Sequence, residues 1–122
     1  MPVDWHAKAM DALRILVQHA QQGNTTTYGE LGESIGVHHR HVSRALQIIR
    51  DDICQGGERA PMINVLVLRK GDANPGPEVL GPWGDHLSDN GRQRTAASEQ
   101  ERVFEYDGWD DLLAELGLKP IE

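Results

Sequence analysis

Between Thr27 and Ile53 the chain sets two apolar stripes of helical spacing on either side of one glycine turn. Thr27 followed three residues later by Glu30 has capping-box spacing. It predicts a short helix over about residues 28–35, with Leu31 and Ile35 four apart on one face. Gly36 suits the left-handed position that closes such a helix. A second helix is predicted from about 39 to 53, because Val42, Ala45, Leu46, Ile49 and Ile53 fall on one buried face. A short helix, a glycine turn and a longer helix make the grammar of a helix-turn-helix.

The flanking segments fit around that unit. Residues 5–22 carry Trp5, Ala9, Leu13, Leu16, Val17 and Ala20 as a helical stripe that stops at Gly23-Asn24. Residues 61–68, PMINVLVL, have the length and apolar character of a strand. RKGDANPGPE at 69–78 is a turn-rich loop. A return strand at Val79-Leu80 would complete a hairpin, the wing of a winged helix. Residues 81–95 read as polar loop, and a last helical portion opens at the Ser98–Glu101 capping spacing. Trp109, Leu112, Leu113 and Leu116 then lie on one side of a segment ended by Gly117. The expected fold is mainly α with a small β wing, a winged helix-turn-helix in a single domain. Residues 1–95 form the winged-helix-like part, and residues 96–122 form an acidic C-terminal helical appendage packed on the same domain.

Charge separates these parts. The net charge of −7 argues against a general polyanion binder. Residues 24–50 nevertheless carry Arg40, Arg44 and Arg50 against only Glu30 and Glu33, whereas residues 51–122 hold seven basic and fifteen acidic side chains. No run of about 18 apolar residues suggests a membrane span. The start MPVDWHAKAM has no apolar secretory core, and the single Cys54 has no internal disulfide partner. A cytoplasmic protein without a membrane segment is the expectation.

With Val42, Ala45, Leu46 and Ile49 turned inward, Arg40, His41, Ser43, Arg44 and Gln47 lie on the flanks and outer face of the second helix. Arginine reaches phosphate or the acceptor edge of guanine, glutamine pairs with adenine, and serine permits close approach. The start of that helix also offers N–H groups to a phosphate. Arg69 and Lys70 would extend the cationic face along the wing. Among His38, His39 and His41, only His38 and His41 have the i, i+3 spacing that lets two ligands converge, and no Cys, Asp or Glu nearby completes a site. No metal or other cofactor is expected. Acid–base chemistry by these histidines, with Arg40 stabilising charge, would instead make a small nuclease. Cys54 follows Asp51 and Asp52 near a helix C-terminus, where both neighbours raise a thiol pKa, so a buried structural role is expected. The spacing of Asp72, Glu78 and Asp85 matches no specific metal site.

Thr26-Thr27-Tyr28-Gly29-Glu30-Leu31 and, more loosely, Arg40-His41-Val42-Ser43-Arg44-Ala45-Leu46 resemble the DNA-binding domain of the alkylguanine-DNA alkyltransferases and the alkyltransferase-like proteins. That family shows a TTYGELA-type helix start, an R-A-V-G-x-A-M recognition helix, a Pro-Cys-His-Arg segment and a glycine-rich wing. The likeness covers roughly residues 10–80, and its strongest part is about six residues long. It implies that Tyr28 presses on a target phosphate and that Arg40 enters the base stack to fill the gap left by a flipped base. Where Pro-Cys-His-Arg is expected the chain reads Pro61-Met62-Ile63-Asn64, some five residues late. Met62 cannot accept an alkyl group as a thiolate would, and the assisting histidine is absent. Repair by self-alkylation is therefore not expected, and the alkyltransferase-like proteins, which bind without repairing, are the nearer likeness.

The expected function is a non-enzymatic nucleic-acid-binding protein, for DNA rather than RNA, that recognises a modified, flipped or specific base without repairing it. Its site would comprise Tyr28, Arg40, His41, Ser43, Arg44, Gln47, Arg69 and Lys70. The alternatives are a protein-interaction or regulatory module, or the His-dependent nuclease of residues 38–41. Residues 99–122, with eight acidic side chains against Arg102 and Lys119, could dock on a basic partner or cover the chain's own recognition helix. Exposure or pairing of Arg40 and Arg44 discriminates these.

Overall fold

A computed structural model describes residues 3–121. The chain is mainly helical around one two-stranded parallel sheet. No helix among the described residues is long and apolar enough to cross a membrane. Helix α1 (Trp5–Gln22) is started by Asp4, whose carboxylate accepts the Ala7 N–H at 3.0 Å. Its inner face buries Ala9, Ala12, Leu13, Leu16, Val17 and Ala20. Leu13 and Leu16 are fully covered, each stabilising the fold by about 1.5–3 kcal/mol through loss of apolar surface.

A two-residue strand, β1 (Thr26–Thr27), leads directly into α2 (Tyr28–Ile35). The Thr27 hydroxyl accepts the Glu30 N–H at 3.2 Å, as the capping spacing predicts. Glu30 does not complete the reciprocal box. Its carboxylate accepts from the Thr26 hydroxyl at 3.2 Å instead. Gly36 closes α2 with φ of 76°, a left-handed conformation that glycine adopts without penalty. Gly32 answers a different need: a Cβ there would lie 2.7 Å from the Val37 carbonyl oxygen, so the turn can fold onto α2 only without one.

The second helix of the unit spans the predicted 39–53 but in three windings. His39–His41 is a 3-10 turn, α3 covers Val42–Ile48, and Ile49–Ile53 is a wide π turn. Val42, Ala45, Leu46, Ile49 and Ile53 are all buried; α3 packs largely on α1, and the π turn lies against both α1 and the 63–66 turn.

The wing departs from expectation. Residues 61–68 are buried throughout, but only Val67–Leu68 form a strand, β2, and Ile63–Leu66 wind into a 3-10 turn. Strand β2 pairs in parallel with β1, in the register Thr26↔Val67 and Thr27↔Leu68. Val79 and Leu80 do not return as a strand; they lie in a 3-10 segment over Pro77–Gly84, so the expected hairpin does not form. The physical reason is where the backbone groups of this buried run find partners. Met62 N–H donates to the Glu99 carboxylate at 2.9 Å, and Gln100 Nε2 donates to the Val65 carbonyl at 3.1 Å. Asn64 Nδ2 donates to the Val79 carbonyl at 2.9 Å. Side chains thus do what a strand ladder would have done.

The first two of those partners stand on α4 (Asp89–Glu105), which begins nine residues before Ser98 and is capped by Ser88 Oγ accepting the Gly91 N–H at 3.1 Å. The polar loop expected over 81–95 is therefore helical from Asp89 onward. The helix runs unbroken through residues 95 and 96. Helix α5 (Trp109–Glu115) buries Trp109, Leu112 and Leu113, and the Trp109 indole donates to the Val103 carbonyl at 3.0 Å.

Candidate nucleic-acid interface

The short parallel sheet builds the candidate site. Its register sets Thr27 beside Leu68, so the next residues, Tyr28 at the start of α2 and Arg69 at the end of β2, leave the sheet side by side. The 3-10 turn and α3 supply the opposite wall. Arg40, Ser43 and Gln47 fall at i, i+3 and i+7, one face of a helix, whereas His41 and Arg44 lie about 100° further round.

Tyr28, Gly29, His39, Arg40, Ser43, Arg69, Lys70 and Glu78 line one open cleft of about 550 Å³. Five of the eight sequence-predicted residues therefore meet here. Gln47 lines a smaller adjoining pocket of about 240 Å³, which shares Tyr28, Ser43 and Glu78 with the cleft and adds Leu46, Arg50, Asn64 and Val79. His41 and Arg44 stand apart from both. Their neighbour is Trp5: the Arg44 guanidinium lies 5.6 Å from the indole centroid, and the His41 ring lies 6.4 Å from it.

Three full cations, Arg40, Arg69 and Lys70, converge on the cleft with one carboxylate, Glu78. Arg69 donates to Glu78 at 2.6 Å, with the two side chains 67% and 47% exposed. An ion pair so exposed contributes little to stability and opens readily. Burial first, and then the Glu78 carboxylate, hold the Tyr28 phenol above its ordinary pKa, with Arg69 opposing. Tyr28 thus stays a neutral hydroxyl at neutral pH, able to donate to a phosphate oxygen.

The helix start is less open than its sequence suggests. His38 Nδ1 accepts the Arg40 N–H at 3.2 Å, the His41 N–H donates to the His38 carbonyl at 2.9 Å, and the Val42 N–H donates to the His39 carbonyl. Any anion contact at this end would fall to side chains. His38 and His39 stack at 4.2 Å between ring centroids, and His41 meets His38 edge-on at 6.3 Å. Desolvation within that cluster, then the charges of His39, Arg40 and His41, hold His38 below its ordinary pKa. Among the described residues no group of three or more His, Cys, Asp or Glu side chains is arranged to hold a metal ion. The histidine that lines the cleft is His39, while His38 and His41 do not converge with a carboxylate there.

The acidic C-terminal segment makes other contacts. Glu115 pairs with Arg59 at 2.7 Å, Glu99 with Arg102, and Asp110 accepts from Gln21 at 2.9 Å. Arg40 and Arg44 are exposed, and no salt bridge joins either to a tail carboxylate among the described residues. Cys54 is fully buried, and its thiol is pushed up to about 11, by burial first and by Glu99 next. A raised value agrees with the sequence, but its cause is desolvation and a carboxylate on α4, not the adjacent aspartates.

Sequence reasoning named His39 only within the nuclease alternative, Glu78 only as a loop carboxylate and Arg50 only as a cation; it placed none of them at this site, and it passed over Asn64. Arg50 sits in the π turn and grips Asp51 through two hydrogen bonds of 2.7 and 3.0 Å, while the Trp83 indole donates to the same carboxylate at 2.9 Å. His39 could have been found from its position one residue before Arg40 on a tight turn. Glu78 and Asn64 carry no local signal, because the loop and the sheet bring them in from afar. No protein-family model, curated protein or solved structure matches the chain.

Proposed function

We propose that the protein is a non-enzymatic nucleic-acid-binding protein of alkyltransferase-like type, with a winged-helix-like docking geometry in which the 69–76 loop serves as wing. It binds DNA in preference to RNA and recognises a modified, flipped or otherwise specific base without repairing it. The observation that carries this reading is the meeting of Tyr28, Arg40, Ser43, Arg69 and Lys70 in one cleft from three separate stretches of chain. Three cations, an aromatic hydroxyl and a small residue on an exposed helix face suit a phosphate backbone with one displaced nucleotide. The exposure of Arg40 also supports it, since a recognition helix covered by its own acidic tail would have left that arginine paired.

In a chain of net charge −7, affinity for plain duplex is weak and rests on a few phosphate contacts. For three contacting cations, log affinity falls against log salt with a slope of about −3. Fluorescence anisotropy at low and moderate salt, against plain duplex, alkylguanine-containing duplex and single strand, tests this. The expected result is a preference for one substrate that Arg40→Ala weakens about tenfold or more. Absence of binding to every substrate at low salt would overturn the proposal.

A further inference from the structure

The adjoining pocket of about 240 Å³ differs chemically from the cationic cleft that opens onto it. Asn64 is one of its lining residues and is only 4% exposed. The amide orientation is set by the Val79 carbonyl, which receives Nδ2–H at 2.9 Å; the reverse orientation would bring two oxygens together. Asn64 Oδ1 is then left as a buried acceptor, and no group among the described residues donates to it. Such an atom is costly to leave unmatched, and its presence needs an explanation.

Glu78 supplies a second acceptor at the boundary between pocket and cleft, lining both. It is the one carboxylate of the cleft, and it currently holds Arg69. A carboxylate next to a phosphate would repel it, so once Arg69 turns to a phosphate, Glu78 calls for a donor of another kind. Carboxylates in nucleic-acid interfaces accept from the exocyclic amino groups of bases.

Resting on the nucleic-acid reading, we propose that this pocket receives an extruded base and that Glu78 and Asn64 select one bearing an exocyclic amino group. As the base N–H groups engage Glu78, Arg69 is released to the adjacent phosphate. Tyr28, shared by cleft and pocket, stands where base and backbone part.

Anisotropy with labelled duplexes of one sequence tests this, each with a single-nucleotide bulge bearing guanine, adenine, cytosine, unsubstituted purine or no base. The wild type binds the amino-bearing bulges about tenfold tighter than the purine and abasic bulges. Glu78→Ala abolishes that discrimination while raising affinity for the abasic bulge, because Arg69 is freed. Arg69→Ala weakens the amino-bearing bulges most and changes the purine and abasic bulges least, since there Arg69 stays with Glu78. Equal binding of amino-bearing and unsubstituted bases, or discrimination that survives Glu78→Ala, overturns the inference and leaves the nucleic-acid reading intact. Failure of the wild type to bind any of the duplexes overturns that reading itself. Glu78 is about half exposed, and circular dichroism of Glu78→Ala confirms that it folds.

Discussion

The stretch from Thr26 to Ile53 and the stretch from Pro61 to Glu105 both add buried residues to one core, yet they are held in different ways. In the first, the helix starts and stops are set locally: Thr27 caps its own helix, Gly36 ends it, and the next winding follows three residues later. In the second, backbone groups of 61–68 are satisfied by the Glu99 and Gln100 side chains, 37 and 35 residues away in sequence, while the Asn64 side chain in turn serves the Val79 carbonyl, 15 residues away. A local device is written in spacing and can be read. A distant one depends on which elements come together, and no periodicity records that.

Removing a distant partner therefore costs more than removing a local cap. Glu99 is 6% exposed and accepts the buried Met62 N–H. Glu99→Ala leaves that donor unmatched and a void beside it, and is expected to destabilise by about 2–4 kcal/mol. Denaturant melts of wild type and variant measure this; a loss below 1 kcal/mol would mean that the 61–68 run holds its shape without α4.

Cys54, beside the same carboxylate, gives a pH test of the second region. Its thiol pKa rises from 9.0 to about 11 on folding, so the folded state keeps the proton that the unfolded state releases first. That stability is fully present below pH 9 and is lost as pH rises toward 11, a decline of about 2–3 kcal/mol. Chemical denaturation across that window, compared with Cys54→Ala, isolates the thiol: the variant should decline less steeply. Equal declines would show that other groups set the alkaline limit.

The smallest effect belongs to the first region. Thr27→Ala removes one cap from an exposed helix start and should cost about 1 kcal/mol. Thermal melts resolve such a loss. A cost matching that of Glu99→Ala would erase the contrast between local and distant support.

The candidate site was legible in the same uneven way. Tyr28, Arg40 and Ser43 follow from helix spacing, and Arg69 and Lys70 follow once the run before them is recognised as buried. The split of Arg40, Ser43 and Gln47 from His41 and Arg44 was also present in the sequence, as a 100° rotation per residue. The parallel pairing of β1 with β2 was not legible, since two residues make no strand pattern; the hairpin expected from 61–68 and 79–80 does not form because the run finds its partners on β1 and α4 instead. Glu78 and Asn64 were hidden by the same topology, as was the start of α4 at Asp89, where a run of polar residues masks a capped helix.

The most direct test of the central claim is amide chemical-shift mapping during titration with a short bulged duplex. Binding at the cleft is expected to perturb Tyr28, Gly29, His39, Arg40, Ser43, Arg69 and Lys70 together, with little change around Asp110, Asp111 and the rest of α5. Perturbations centred on α5, or none at low salt, would contradict it.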